Sequence, residues 1–449
     1  MLVRKIEEQI NKWIDDSEKA LLLSGARQVG KTYIIRKCLK NKGCDFVEFN
    51  LIKQPEVVKL IAESTSIDDL ILKLSLYSST KIVPYKTIIF FDEIQKYKEI
   101  VTKIKFLVED KRFRYVLSGS LLGVEIVNLK SAPVGYLQSL NMYPLDFEEF
   151  LQIFHVTDDI KKVLKKAFVE RTKVDDIIHN KLMEMFRLYL IIGGMPSAVE
   201  KYVETNNIDD VITEHSSIIE QYKLDFTQYE EENKKLKISR IYEMMPSELN
   251  EKNKRFMVSN MGDKFRIEKI EDSFVWLIKA GVAIPVYNVT EPTVPLKMNV
   301  KSSLFKFFIS DVGLLTTMYG KTTKLKIVNK EKNVNYGAVY ENVVAQELSA
   351  HGFEGYYYNS KKLGELDFVV EYHDEVLPIE VKSGKDYEKH SALNNVMKIK
   401  NYGLNQAFVF SDHNVETKGN IVYYPVYMTM FLLKDDLEVK LPSPKNLSF

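Results

Sequence analysis

Between Leu21 and about Leu145, short apolar runs alternate with stretches whose apolar residues recur at helical spacing, the pattern of a parallel sheet covered by helices. Strands are expected at Ala20 to Leu23, Phe46 to Phe49, Thr87 to Phe91, Tyr115 to Leu117 and Leu137 to Met142. Asp146 then reads as a helix cap, because Glu149 three residues on completes a capping box and Leu145 can staple against Phe150. From there to about Tyr229 helical spacing dominates, broken at Gly193-Gly194-Met195-Pro196, and predicts a helical lid.

The segment from about Leu236 to Pro295 holds three helix candidates and then the apolar run Val282 to Val289, which leads into a proline-bearing turn. Its last helix aligns Ile267, Ile270, Phe274, Leu277 and Ile278 on one face, with Gly281 as a stop signal, an order that suggests a winged helix. A junction around Phe305 to Leu315 and a polar stretch near Lys321 to Asn335 follow. From Tyr336 to Ser411 the pattern reads helix, three strands, helix, strand, as in a separate α/β domain. No internal repeat or low-complexity tract interrupts this layout.

The first strand runs into Gly25-Ala26-Arg27-Gln28-Val29-Gly30-Lys31-Thr32, a full P-loop pattern set between a strand and an amphipathic helix. Gly25 and Gly30 permit backbone conformations closed to other residues, so successive N–H groups can surround phosphates at a helix N-terminus. Lys31 would reach the β- and γ-phosphates of ATP, and the Thr32 hydroxyl would ligate Mg²⁺. The run Thr87 to Glu93 is an apolar strand ending in two carboxylates: Asp92 to hold Mg²⁺ through water, Glu93 to polarise the attacking water. Glu directly after Asp favours hydrolysis over phosphoryl transfer to another acceptor. The strand Tyr115 to Leu117 ends in Ser118-Gly119-Ser120, so that Ser118 or Ser120 could sense the γ-phosphate, although a Ser-Gly strand end also occurs without such a role.

GARQVGKT, FFDEIQ, LSGS, YPLDFEEF and IIGGMPSAV together resemble a large prokaryotic family of AAA-type ATPases with a C-terminal domain of unknown function. The likeness extends over nearly the whole chain and implies a sheet in which the Ser118 strand lies between the P-loop and Asp92 strands. Many such proteins carry a basic residue where Tyr136 follows Gly135 here. That leaves the arginine finger open, with Arg112, Arg114 and Arg187 as candidates.

Toward the C-terminus, Glu341 falls in a helix, Asp367 in the strand Gly364 to Glu371, and Glu380-Val381-Lys382 ends the strand Val376 to Lys382. Alternation puts Glu380 and Lys382 on one face, where they can converge with Asp367. Asp367 and Glu380 would hold Mg²⁺, Glu341 would support them, and Lys382 would activate water or stabilise developing charge. The order resembles the PD-(D/E)XK nuclease superfamily, carried here by Glu341, Asp367, Glu380 and Lys382. Glu-x-Lys alone is also the ordinary alternation of an exposed strand.

The expected architecture is therefore α/β: a P-loop core in residues 1–150, a helical lid in 151–235, a winged helix in 236–320 and a nuclease-like α/β domain in 321–449. A net charge of +1 supplies no global field for nucleic acid or membrane, so any contact with DNA must be local. Lys252, Lys254, Arg255, Lys264 and Arg266 are the local candidates, interleaved with Glu251, Asp263 and Glu268. Cys38 and Cys44 have no partners at metal-ligand spacing, and no apolar run is long enough to cross a bilayer, so a cytoplasmic chain with reduced thiols is expected. Two functions fit: an ATPase whose nucleotide state controls a DNA-cleaving domain, or a nucleotide-dependent switch for a protein partner or a second copy, with a C-terminal domain that only binds.

Overall fold

The computed structural model describes residues 3–434, apart from 79, 98, 121–134, 229–231, 252–253, 262–269 and 332–335. Among the described residues the strands form two sheets. The first comprises β1 (Ala20–Ser24), β2 (Phe46–Asn50), β3 (Ile88–Asp92), β4 (Arg114–Ser118) and β5 (Leu137–Asn141). All its pairings are parallel, in the order β2-β3-β4-β1-β5, so the Ser118 strand does lie between the P-loop strand and the Asp92 strand.

Strand alternation splits the apolar residues of this sheet between two cores. Leu21, Leu23, Ile88, Phe90 and Val116 face the cluster shared with the helices that follow Asp146. Leu22, Ile89, Phe91, Tyr115 and Leu117 face the helices Pro55–Glu63, Ile67–Tyr77 and Glu99–Glu109. Every residue of β3 is consequently buried, and its acidic tip emerges only at the C-terminal edge.

Asp146 forms the expected capping box: it accepts from the Glu149 N–H at 2.8 Å, and Glu149 accepts from the Asp146 N–H. The helices Asp158–Glu170, Asp176–Ile192, Pro196–Thr205 and Ile208–Gln228 follow. The turn at Gly193-Gly194 joins three parts of the chain. Leu145 N–H donates to the Gly194 carbonyl at 2.7 Å, and Gly194 N–H donates to Asp311 at 2.6 Å. A Cβ on Gly194 would lie 2.0 Å from the Leu145 carbonyl oxygen, so this approach requires glycine.

The second sheet differs from the sequence expectation. It contains β6 (Ala283–Val289), β7 (Val300–Ile309), β8 (Tyr356–Ser360), β9 (Gly364–Tyr372), β10 (Glu375–Val381), β11 (Ala407–Ser411), β12 (Glu416–Lys418) and β13 (Ile421–Pro425). Their order is β12-β13-β11-β10-β9-β8-β6-β7, with mixed directions. The run expected to form a wing is β6, and it pairs with β7 on one side and with β8 on the other. Residues on both sides of position 320 therefore share one sheet. Phe307, Phe308 and Ile309 are all buried, which a two-stranded wing with one wet face would not achieve. The helix Tyr336–Ala350, buried over most of its length, packs on β6, β7 and β10.

The polar stretch after Lys321 also contains a surprise: a helix, Lys321–Val328, with Lys324 fully buried. Its ammonium donates to the carbonyls of Ile191 and Gly313 at the end of the helix Asp176–Ile192 and the start of the helix Val312–Met318. Burial pushes this lysine down to about 7. No single described helix is long and apolar enough to cross a membrane; the helices Asp176–Ile192 and Pro196–Thr205 reach that length only together, and the chain bends by 116° between them.

Candidate active site

The P-loop connects the C-terminal end of β1 to the helix Lys31–Asn41. Gly25 has φ 143° and Gly30 φ 95°, values that L side chains rarely adopt. A Cβ on Gly25 would also stand 2.2 Å from the Met142 carbonyl oxygen. That contact is backbone on backbone and no rotamer change relieves it. Gly25→Ala is therefore expected to cost about 2–3 kcal/mol of local strain and to weaken ATP binding at least ~10-fold, measured by titration with a fluorescent ATP analogue.

Lys31 is buried and donates to the carbonyls of Gly25 (3.0 Å) and Ala26 (2.7 Å). Burial lowers its pKa to about 8, with Glu93 and Asp92 opposing that shift. Thr32 Oγ donates to Asp92 at 3.1 Å to both carboxylate oxygens. Asp92 also accepts from Ser118 Oγ and, at 3.0 Å, from Asn50 Nδ2. Burial raises Asp92, and the Ser118 hydrogen bond opposes the rise. Thr32 and Asp92 suit Mg²⁺ in kind, since that ion is usually held by one or two carboxylates or hydroxyls together with substrate phosphates.

Glu93 sits just beyond β3 with φ 58°, a conformation uncommon for a residue bearing a Cβ. Gln95 Nε2 holds its carboxylate at 2.5 Å and reaches Ser120 Oγ at 3.2 Å. Ser118 and Ser120 thus divide the expected sensor position: one contacts Asp92, the other is tied to Glu93 through Gln95.

Three supporting groups escaped the sequence reading. Asn50 ends the strand next to β3, a position whose polarity was legible but whose neighbour was not. Arg4, buried, donates to Glu149 at 3.0 Å, to the Val29 carbonyl at 3.2 Å and to the Tyr143 carbonyl at 2.7 Å, bracing the loop from below. The helix Ile208–Gln228, in the segment expected to form a lid, supplies Asp225 to Arg27, Gln221 to Gln28 (2.6 Å) and the Tyr222 hydroxyl to the Arg27 carbonyl (3.1 Å). Val29 is buried beneath the loop. The three arginine-finger candidates are engaged elsewhere. Arg112 pairs with Asp110 and Asp68, Arg114 donates to the carbonyls of Trp13 and Ile14, and Arg187 lies near Tyr336 and Tyr340.

At the C-terminal cluster the expected residues meet, with partners the sequence did not suggest. Lys382 pairs with Glu380 at 2.8 Å, and Asp367 accepts from the Val381 N–H at 2.8 Å. Glu341 is paired with Lys254 and lies 3.5 Å from Lys306, which also contacts Glu365 at 2.9 Å. Arg255 approaches Glu365 at 4.0 Å. Burial and the neighbouring Asp367 push Glu380 up to about 8, whereas Lys306, Lys382 and Lys254 outweigh burial and hold Asp367 low.

Four acidic side chains, Glu341, Glu365, Asp367 and Glu380, are thus gathered with four basic ones, Lys254, Arg255, Lys306 and Lys382. Among the described residues no three His, Cys, Asp or Glu side chains are gathered to hold a metal. Of the two residues expected to hold Mg²⁺, Glu380 is paired with the Lys382 ammonium and Asp367 accepts from the Val381 N–H. The DNA-contact candidates fare similarly: Lys254 and Arg255 turn toward this cluster, and Lys252, Lys264 and Arg266 lie outside the described residues.

Comparison with known proteins agrees with the phosphate site. Residues 17–151 match the family model described as an AAA domain. The N-terminal part of the chain is an AAA-type ATPase domain. Residues 183–325 match a domain of unknown function (DUF8612), and residues 336–428 match another (DUF4143). No curated protein matches the sequence. Among solved structures, the Walker-type ATPase PABY2304 of Pyrococcus abyssi aligns at 15% identity over 71% of this chain and 96% of that chain, with a TM-score of 0.42. The Orc1 protein of Aeropyrum pernix, solved in complex with DNA, aligns at 13% identity over 71% and 91%, with a TM-score of 0.27. The Pif1 helicase from Candida albicans aligns at 13% identity over 40% and 47%, with a TM-score of 0.24. The assignment of the ATPase domain rests on the family match and the P-loop geometry.

Proposed function

We propose that this AAA-type ATPase is a nucleotide-dependent switch in which hydrolysis of Mg-ATP at the P-loop is transmitted through the lid helix Ile208–Gln228 to the C-terminal sheet. The observation that carries this reading is the double engagement of that helix. Near its end, Asp225 and Gln221 hold Arg27 and Gln28 of the P-loop. Nearer its start, buried His215 contacts the Thr317 hydroxyl at 2.9 Å, on the helix that directly follows β7. The turn before β6 offers a second route, since Gly281 presses so closely on Ala26 that a Cβ there would lie 2.9 Å from its backbone nitrogen.

In this reading the P-loop N–H groups and Lys31 bind the phosphates, Thr32 and Asp92 hold Mg²⁺, Glu93 orients the attacking water, and Ser118 fixes Asp92. Mg²⁺, when bound, would neutralise charge developing between the β- and γ-phosphates. The cluster of Glu341, Asp367, Glu380 and Lys382, together with Lys254, Lys306, Arg255 and Glu365 around it, then serves as a paired ionic core that changes its contacts with a partner.

Metal-dependent nucleic-acid cleavage by a PD-(D/E)XK-like site is the second reading. It is favoured by the convergence of Glu341, Asp367, Glu380 and Lys382. ATP hydrolysis and cleavage of single- and double-stranded DNA and RNA, assayed together on the wild type, Lys31→Ala and Asp367→Ala, separate the two. The switch predicts turnover that EDTA abolishes, that Lys31→Ala lacks and that Asp367→Ala retains, with all nucleic acids intact in Mg²⁺ or Mn²⁺. Cleavage by the wild type that Asp367→Ala removes would establish the second reading instead.

A further inference from the structure

We propose that Arg27, inside the P-loop itself, is the catalytic arginine of this ATPase, and that Asp225 of the lid helix holds it aside until a γ-phosphate arrives. This rests on the ATPase reading above and adds a residue to it.

The geometry confines the choice. Arg27 occupies the third position of the loop, two residues after Gly25, so its backbone is part of the phosphate cradle. Its guanidinium is bound to a carboxylate of Asp225 that is itself almost fully buried, while about a third of the arginine side chain remains exposed. The charges of Glu93, Asp92, Arg27 and Asp225 all act on the Lys31 ammonium, and that of Glu93 acts on Asp225. Arg27 therefore shares its surroundings with the lysine that grips the terminal phosphates and with the carboxylate that polarises water. Arg112, Arg114 and Arg187 do not.

A carboxylate carries one negative charge, and the terminal phosphate of ATP carries more, with three oxygens to accept the planar fork of an arginine. Bound ATP thus competes effectively with Asp225 for Arg27, whereas ADP, which lacks that group, does not. In the chemical step the water oxygen bonds to the γ-phosphorus as the bond to the β–γ bridging oxygen breaks. The bond's electron pair leaves on ADP, and the proton lost by water passes by way of Glu93 to solvent. Arg27 stabilises negative charge on the transferring group. Loss of its partner also frees Asp225, so the lid helix registers the γ-phosphate through the same exchange.

The test uses the full-length protein with the wild type, Arg27→Ala, Arg27→Lys, Asp225→Asn and, as a binding control, Lys31→Ala. Steady-state ATP turnover, affinity for a fluorescent ADP, and trapping of ADP by fluoroaluminate are measured on each. For Arg27→Ala we expect kcat to fall about 10²–10³-fold and fluoroaluminate trapping to disappear, with ADP affinity within about threefold of the wild type. Arg27→Lys should recover part of kcat. Asp225→Asn should lower KM for ATP several-fold without tightening ADP, a change that a merely structural contact would not produce. Arg27→Ala with wild-type kcat, or with ADP affinity lost alongside kcat, overturns the proposal while leaving the ATPase intact. Asp225→Asn that weakens ATP removes the holding role. A wild type that hydrolyses no ATP is the distinct failure of the underlying reading.

Discussion

Glu93→Gln is expected to lower kcat for ATP hydrolysis about 10²–10⁴-fold while leaving the dissociation constant for ATP within a few-fold of the wild type. The substitution preserves the length of the side chain and its hydrogen-bonding contact with Gln95, and it removes only the negative charge proposed to polarise water. Glutamine also tolerates the positive φ of this position about as well as glutamate does. Lys31→Ala provides the contrast. Its ammonium lies among the backbone carbonyls of Gly25 and Ala26, so its loss removes the principal cation of the loop and should abolish binding as well as turnover. Isothermal titration with ATP and phosphate release on the same preparations distinguish the two. If Glu93→Gln kept more than a tenth of wild-type kcat, water activation would have to be assigned to another group, and Asp92 would be next in line.

The nucleotide site was legible because its chemistry lies in contiguous residues. Eight consecutive positions make the phosphate loop, and the apolar run before Asp92 and Glu93 marks its own strand, so local patterning determined both elements to within a residue or so. What patterning could not supply was partnership between distant segments. Asn50, Arg4 and Asp225 looked like ordinary surface polar residues, and each becomes part of the site only through contacts spanning 25 residues or more. The same limit explains the second sheet. The alternation of β6 and β7 announces two strands, yet nothing local says that β6 also pairs with Tyr356–Tyr358, nearly seventy residues farther on, rather than standing as a wing. Lys254, Lys306 and Lys324 fail for a related reason. Lysine is rarely buried unless paired, so a sequence reading assigns it to solvent until its partners are known.

Lys306→Met is expected to destabilise the C-terminal part of the chain by about 3–5 kcal/mol, the cost of removing the wholly buried cation from a cluster of buried acids. Lys306 projects from β7, is wholly inaccessible, lies 3.5 Å from Glu341 and 2.9 Å from Glu365, and sits 5.1 Å from the centre of the Tyr357 ring. Methionine replaces its stem but not its ammonium, so the effect isolates charge from packing. Burial and Asp367 already raise Glu341, and removing Lys306 takes away the cation that most opposes them. A carboxyl whose folded pKa stands above its unfolded value favours the native state as pH falls from the higher value to the lower one. The deficit of Lys306→Met should therefore be greatest near neutral pH and shrink as the solution is acidified toward the ordinary glutamate range. Adding Glu341→Gln should recover part of the loss, because the residual negative charge is removed with its cation. Urea unfolding of the single and double variants at neutral and mildly acidic pH measures both effects. A midpoint for Lys306→Met equal to that of the wild type would mean that this cluster is solvated in solution and is not a buried ionic core.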